Sequence, residues 1–204
     1  PDGERTFATN LGAALTLSDK EIDKSLFAGY DYLHIEGYLI SNRVLFRKIM
    51  EAGRQARCKI SIDLASYNVV EENLQFLKEV CRGVSIIFAN EEEAKAFTGK
   101  EAEKALDQIA EYAETAVVKI GMKGSLIKHH GKTCHIHGSK RSTIDTTGAG
   151  DMYAGGFLAA LCQDKDMLQC GKTGSILAGN VVEVMGTAMD AERWQKIKAE
   201  VENI

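Results

Sequence analysis

Asp145-Thr-Thr-Gly-Ala-Gly-Asp151, continued by Met152-Tyr-Ala-Gly-Gly-Phe157, is the stretch around which the rest of the chain falls into order. Ser142–Asp145 reads as a short strand, Thr146 to Gly150 as a turn, and Asp151 onward as the first turns of an apolar helix. Gly148 and Gly150 carry no Cβ, so the backbone there can approach a ligand closely. The first amides of a helix lack intrahelical acceptors and lie at the positive end of its dipole, which makes such a turn an anion site. Asp151, in the first helical turn, is held ionised by the same dipole. A bare G-x-G-D is equally well an ordinary helix-start acid beside a glycine turn.

Upstream, the apolar runs Tyr32–Ile35, Lys59–Leu64, Val84–Ala89 and Ala116–Ile120 read as buried strands. Helical periodicity fills the gaps at Asn42–Gln55, Val69–Cys81 and Ala102–Tyr112. That β-α-β-α order predicts an α/β fold with a parallel sheet covered by helices. Ser125–His129 and Thr133–His137 flank the polar Gly131-Lys132 pair and predict a hairpin, an antiparallel edge on the sheet. Downstream the pattern is helical at Asp151–Cys162, Met167–Met185 and Ala191–Glu202, with Gly171, Gly174 and Gly179 arguing against an unbroken middle helix. At the other end, Arg5–Leu11 reads as a strand, and Ser18-x-x-Glu21 as a capping box opening a short helix that Gly29 closes. Residues 1–16 therefore stand apart as a strand segment outside the β-α-β series. The opening Pro1-Asp-Gly-Glu-Arg-Thr-Phe7 reads as a turn entering a strand already under way, from which a missing amino-terminal portion is expected.

With 204 residues, 45% of them hydrophobic, the chain is long enough for one sizeable core and too short to need two. The net charge is -4 and the basic residues are scattered, so nucleic acid is not an expected partner. No apolar run approaches the roughly 20 residues of a membrane span, and a soluble protein is expected. Five cysteines without a C-x-x-C pair suit neither a disulfide framework nor a structural zinc site, and fit a reducing, cytoplasmic setting.

As a whole string, Asp145 to Asp151 followed by Met-Tyr-Ala-Gly-Gly-Phe strongly resembles the carboxy-terminal signature of the ribokinase family, the PfkB-type carbohydrate kinases. The resemblance extends over most of the chain through the order of its strands and helices. It implies a three-layer α/β ribokinase-like core with a mostly parallel sheet and part of a small β lid. Residues 1–16 fall to the lid and 17–204 to the nucleotide-binding and catalytic core. It also implies an ATP- and Mg²⁺-dependent kinase for a sugar or nucleoside hydroxyl, and a homodimer formed through the lid. Position by position, Asp151 looks like the catalytic base, and Gly148, Ala149, Gly150 and the Asp151 backbone look like the anion hole. So weak a base suffices for phosphoryl transfer, because the hydroxyl proton becomes acidic only as the bond to phosphorus forms. Asp145 and Thr147 resemble the positions that bind a monovalent cation in members activated by K⁺; a strand-end acid and a turn hydroxyl is the other reading.

Val84-Ser-Ile-Ile-Phe-Ala-Asn90-Glu-Glu-Glu93 places Asn90 and Glu93 where a buried strand hands over to a helix, the end at which open α/β sheets bind ligands. Asn-x-x-Glu is also a capping box. The resemblance assigns this N-x-x-E to magnesium and phosphate through water, in keeping with the hydration shell that Mg²⁺ retains, and selects Glu93 over Glu91 or Glu92. Lys119-Ile-Gly-Met-Lys-Gly-Ser125 resembles the family's strand ending in G-x-x-G beside ATP, making Lys119, Gly121 and Gly124 nucleotide candidates. A hairpin connection explains the two glycines equally well. Ala178-Gly-Asn-Val-Val-Glu-Val-Met-Gly-Thr187 resembles the late helix that lines the adenine pocket, with Asn180 as its polar candidate.

His129, His130, Cys134, His135 and His137 crowd the expected hairpin, but strand alternation splits their side chains between two faces and no zinc spacing emerges. Glu36 and Asp63 end core strands and fit either cleft-lining or turn-capping roles. Asp2-Gly-Glu-Arg-Thr-Phe7, Leu11-Gly-Ala-Ala14 and His34-Ile-Glu-Gly-Tyr-Leu39 are similar to segments of bacterial adenosine-kinase-like members. They favour adenosine or a related ribonucleoside over fructose, ribose or 2-keto-3-deoxygluconate. A nucleotide-binding module without catalysis is the rival reading.

Overall fold

The computed structural model describes residues 12–138 and 141–204. The strand expected over Arg5–Leu11, and the dimer contact assigned to the lid, lie outside the described residues; Gly12–Thr16 forms a 3-10 turn. Six strands make one sheet in chain order: β1 Tyr32–Glu36, β2 Lys59–Asp63, β3 Val84–Asn90, β4 Ala113–Lys119, β5 Gly124–His129 and β6 Lys132–His137. Strand β2 is parallel to both β1 and β3, while β5 and β6 are antiparallel. Ile60–Asp63 and Ile86–Ala89 are buried without a break. Successive strand residues point to opposite faces, so helices must cover both, which is the three-layer α/β arrangement.

The chain divides into two compact units, the second comprising Val118–Ile204. In the first, helices α1 Arg43–Gln55, α2 Tyr67–Val80, α3 Glu91–Thr98 and α4 Ala102–Ile109 alternate with the strands. Asn42 caps α1 by accepting from Leu45 N at 3.1 Å. Ser66 starts α2 two residues before the expected Val69 by accepting from Val69 N at 3.4 Å. Phe46 of α1 meets Phe76 of α2 edge to face at 5.9 Å, and Arg47 clamps Glu79 with two bonds of 2.7 and 3.0 Å. The Ser18 capping box is present, but the helix it opens is only the 3-10 turn Asp19–Glu21, followed by a second turn at Lys24–Phe27.

In the second unit the hairpin turns on His130-Gly131, not Gly131-Lys132: both residues have positive φ, 45° and 78°, and His129 pairs with Lys132. A two-residue loop with two positive φ values matches the twist of the flanking strands. Helices α5 Ala149–Leu161, α6 Met167–Val181 and α7 Ala191–Glu202 complete the chain. Ser142–Asp145 is not a strand: Ile144 N and Asp145 N both donate to Val182 O just after α6, at 2.7 and 3.2 Å. Nor do the glycines break α6. A Cβ on Gly174 would stand 2.8 Å from Tyr153 O of α5, and one on Gly171 would stand 2.5 Å from Ile127 and Ile136. They are the places where α6 closes on α5 and on the hairpin. Among the described residues no helix is long and apolar enough to cross a membrane.

Candidate active site

The glycine turn of the second unit is built from the backbone outward. Gly148 occupies the N-cap of α5 at φ 76°, ψ 3°, a left-handed conformation that favours glycine, and a Cβ there would also press on Thr187 Cγ2 at 2.7 Å. Helix α5 therefore starts at Ala149, and Asp151 is the exposed acid of its first turn. Ala149 N donates back to Thr146 O at 3.2 Å, and the next amides, at Gly150 and Asp151, belong to the first turn of α5, whose amides as a class lack intrahelical acceptors. Asp145 fastens this turn. Its Oδ1 accepts from Thr147 N at 2.9 Å and from Thr147 Oγ1 at 2.6 Å, and its Oδ2 accepts from Gly186 N at 2.9 Å. Asp145 and Thr147, the cation candidates of the sequence, are joined to each other, and Asp145 also ties the turn to the loop after α6.

Lys119, the last residue of β4, reaches the same turn: its Nζ lies 3.2 Å from where a Cβ on Gly150 would stand. Of the two glycines that follow, Gly121 has φ 57° and open space around it. Gly124 is buried at φ 103°, and a Cβ there would overlap Ile136 O and stand 2.6 Å from Gly138 N. Gly124 is therefore fixed by the closure of the hairpin. Asn180 lies within α6 and is fully buried; its Nδ2 donates to Ile176 O at 2.9 Å, while its Oδ1 has no partner among the described residues. An unpaired buried acceptor costs about 1–3 kcal/mol, a cost that a donor group would relieve. Around it, Glu183 accepts from Arg193 at 2.8 Å and lies 3.8 Å from Arg141, which holds Glu200 at 2.7 Å. The Arg193 hydrogen bond keeps the Glu183 carboxyl below its usual range, aided by Ser142 backbone and Arg141 and opposed by burial.

In the first unit, Asn90 and Glu93 form a full capping box. Glu93 N donates to Asn90 Oδ1 at 2.8 Å, and the Glu93 carboxylate accepts from Asn90 N and Nδ2, each at 2.7 Å. Glu93 is 3% exposed, whereas Glu91 and Glu92 face solvent. Both Glu93 oxygens already accept hydrogen bonds, so the pair fits a metal held through water better than one bound directly. Asp63 serves its own turn, accepting from Ala65 N at 3.0 Å beside the positive φ of Ala65, 70°. Glu36 stands 3.2 Å from His34 Nε2, and His34 Nδ1 stands 2.8 Å from Ser61 Oγ. Sequence reasoning missed that His34–Ser61 link, whose signal is only a register of β1 against β2. It also missed Gly186 and Thr187, although their Gly-Thr pair closes the stretch singled out around Asn180. Among the described residues no three His, Cys, Asp or Glu side chains are arranged to hold a metal directly.

Comparison with known proteins places these features in a lineage. Residues 1–194 match the model of the pfkB family carbohydrate kinases. An uncharacterized sugar kinase of Archaeoglobus fulgidus is 25% identical over 189 residues, covering 90% of this chain and 74% of that protein. A nucleoside kinase of Methanocaldococcus jannaschii is 31% identical over 129 residues, 63% of this chain and 42% of that one. The crystal structure of adenosine kinase from Sinorhizobium meliloti superposes with a TM-score of 0.83 at 25% identity, covering 90% of this chain and 58% of that one. The chain thus spans less than two thirds of the length of the latter two. The family model covers nearly all of the sequence, Asp145–Asp151 included, and the chain belongs to the pfkB family of carbohydrate kinases.

Proposed function

We propose that this chain carries the nucleotide-phosphate and catalytic elements of an ATP-dependent kinase acting on a hydroxyl of a sugar or nucleoside. The observation that carries the reading is the start of α5: a left-handed glycine cap and an exposed Asp151 in the first turn. The acceptor oxygen attacks the γ-phosphorus, the bond from that phosphorus to the β-phosphate oxygen breaks with its electron pair staying on the nucleoside diphosphate, and the hydroxyl proton passes to the Asp151 carboxylate. The amides of Gly150 and Asp151 stabilise the charge of the group in flight. Magnesium, when bound, supplies charge neutralisation on the phosphates, and the Asn90–Glu93 box is the pair that would order its water shell. Asn180 Oδ1 would accept from the exocyclic amine of adenine. The Asp145–Thr147 clasp holds the turn in place; K⁺ there would share oxygens already engaged.

The kinship to an adenosine kinase and the His34–Leu39 segment favour adenosine as the first acceptor to test. The experiment is ATP consumption by the full-length protein against a panel of nucleosides and sugars, with ATP binding measured in parallel. Adenosine-dependent ADP release is expected, and Asp151→Asn should lower turnover about 10²–10⁴-fold with ATP affinity nearly unchanged. ATP binding without turnover on any acceptor would make the chain a nucleotide-binding module instead.

A further inference from the structure

We infer that Lys119 is a catalytic residue of the phosphoryl transfer, its ammonium neutralising charge on the transferring group at the start of α5; the inference rests on the kinase reading above. Gly148 and Gly150 sit two residues apart in one motif, yet they are glycines for different reasons. Gly148 needs its residue type for its left-handed φ of 76°. Gly150 has no such φ, so its backbone suits any L-residue, and the only described atom that an added Cβ would meet within 4 Å is Lys119 Nζ, at 3.2 Å. The missing side chain at 150 leaves room for an ammonium.

A helix start is the positive end of the dipole and favours anions, while cations gain at the other end. Lys119 Nζ and the amides of Gly150 and Asp151 together form a positive locus whose one acid of the first turn is Asp151. The lysine stem comes from β4, a strand with four consecutive buried residues before Lys119, so its root is fixed rather than carried on a loose loop. As the acceptor oxygen bonds to phosphorus and the bond to the β-phosphate oxygen breaks, negative charge spreads over the three equatorial oxygens and the leaving oxygen. A fixed cation at that place acts on charge that develops during transfer, so it belongs in turnover more than in ATP affinity.

The test uses the full-length protein with ATP, Mg²⁺ and the acceptor that the unsubstituted chain turns over. Lys119→Met should lower kcat about 100-fold with KM for ATP changed less than about 3-fold, as when a single donor to a developing oxyanion is lost. Lys119→Arg should restore about a tenth of the wild-type rate, since it keeps the charge on a different geometry. Gly150→Ala sets a methyl 3.2 Å from Nζ, to which the ammonium must yield by a few tenths of an ångström, so it should lower kcat in the unsubstituted chain and add little to Lys119→Met. A Lys119→Met variant with unchanged kcat overturns the inference and leaves the kinase standing. So does a loss of rate that only follows a loss of thermal stability or of ATP affinity, or a double variant whose losses multiply. An unsubstituted chain that phosphorylates no acceptor overturns the kinase reading and the role of Lys119 with it.

Discussion

Three donors converge on one carboxylate at Asp145, two from Thr147 and one from Gly186. The number matters because an amide in its place has only one accepting oxygen. Asp145→Asn must turn its NH₂ toward either Thr147 or Gly186 N, leaving a donor facing a donor in a half-buried turn. The expected cost is about 1–3 kcal/mol, read as a lowered urea midpoint. Because the clasp sets where Gly148 to Asp151 stand, turnover should fall with it. Thr147→Val, which removes one donor and leaves the other two, should cost about 1 kcal/mol. A pair of variants with equal and negligible effects would show that the clasp does not hold the turn. Glu93 repeats the lesson in the first unit: the residue that the motif marks as a ligand is also the one that its own backbone needs.

Between elements, glycine decides how near α6 can come. Gly174→Ala should destabilise by about 1–3 kcal/mol, because the new methyl would stand 2.8 Å from Tyr153 O and cannot be relieved by a rotamer change. Gly155 offers the control: it lies exposed in α5 with nothing within 4 Å of an added Cβ, so Gly155→Ala should gain up to about 1 kcal/mol of helix propensity. Thermal melts of the two variants should move in opposite directions. The same residues explain what the sequence withheld. Strands β1 to β4 were legible because the mostly apolar runs at 32–35, 59–64, 84–89 and 116–120 are too short for helices and recur between helical patterns. Gly171 and Gly174 read as breaks because propensity counts only a glycine's local cost, and their gain lies in a partner helix and hairpin distant in sequence. Ser142–Asp145 read as a strand, yet Ile144 is 53% exposed and its amide is spent on Val182 O. No local pattern announces that acceptor. The candidate residues were legible one by one, Lys119 among them, but the approach of the Lys119 ammonium to Gly150, some thirty residues on, was not.

For the chain as a whole, ionisation sets the pH window of stability. The carboxyls of Glu183, Glu79, Glu21 and Asp23 are all held below their ordinary values, by hydrogen bonds from Arg193, Arg47, Ser18 and the Ser25 backbone respectively. In each case the unfolded chain takes up protons before the folded one does as the pH falls. Their contribution is therefore present above the ordinary carboxyl value, 4.5 for a glutamate, and is lost as pH drops through the lower folded values. The thiols work in the opposite sense. Burial pushes Cys81 from 9.0 to about 12 and Cys170 to about 11, so the folded chain keeps protons that the unfolded one releases. That contribution is complete below pH 9.0 and is lost as the pH rises toward those values. Melting temperature should hold a plateau between these limits and fall on both sides. Glu183→Gln should lower the plateau and flatten the acid limb, so that variant and wild type draw together as the pH falls below 4.5. Cys81→Ala should instead flatten the alkaline limb. A Glu183→Gln variant that matches the wild type at pH 7 and departs from it only in acid would mean that the Arg141–Glu183–Arg193–Glu200 network adds nothing to the folded chain at neutral pH.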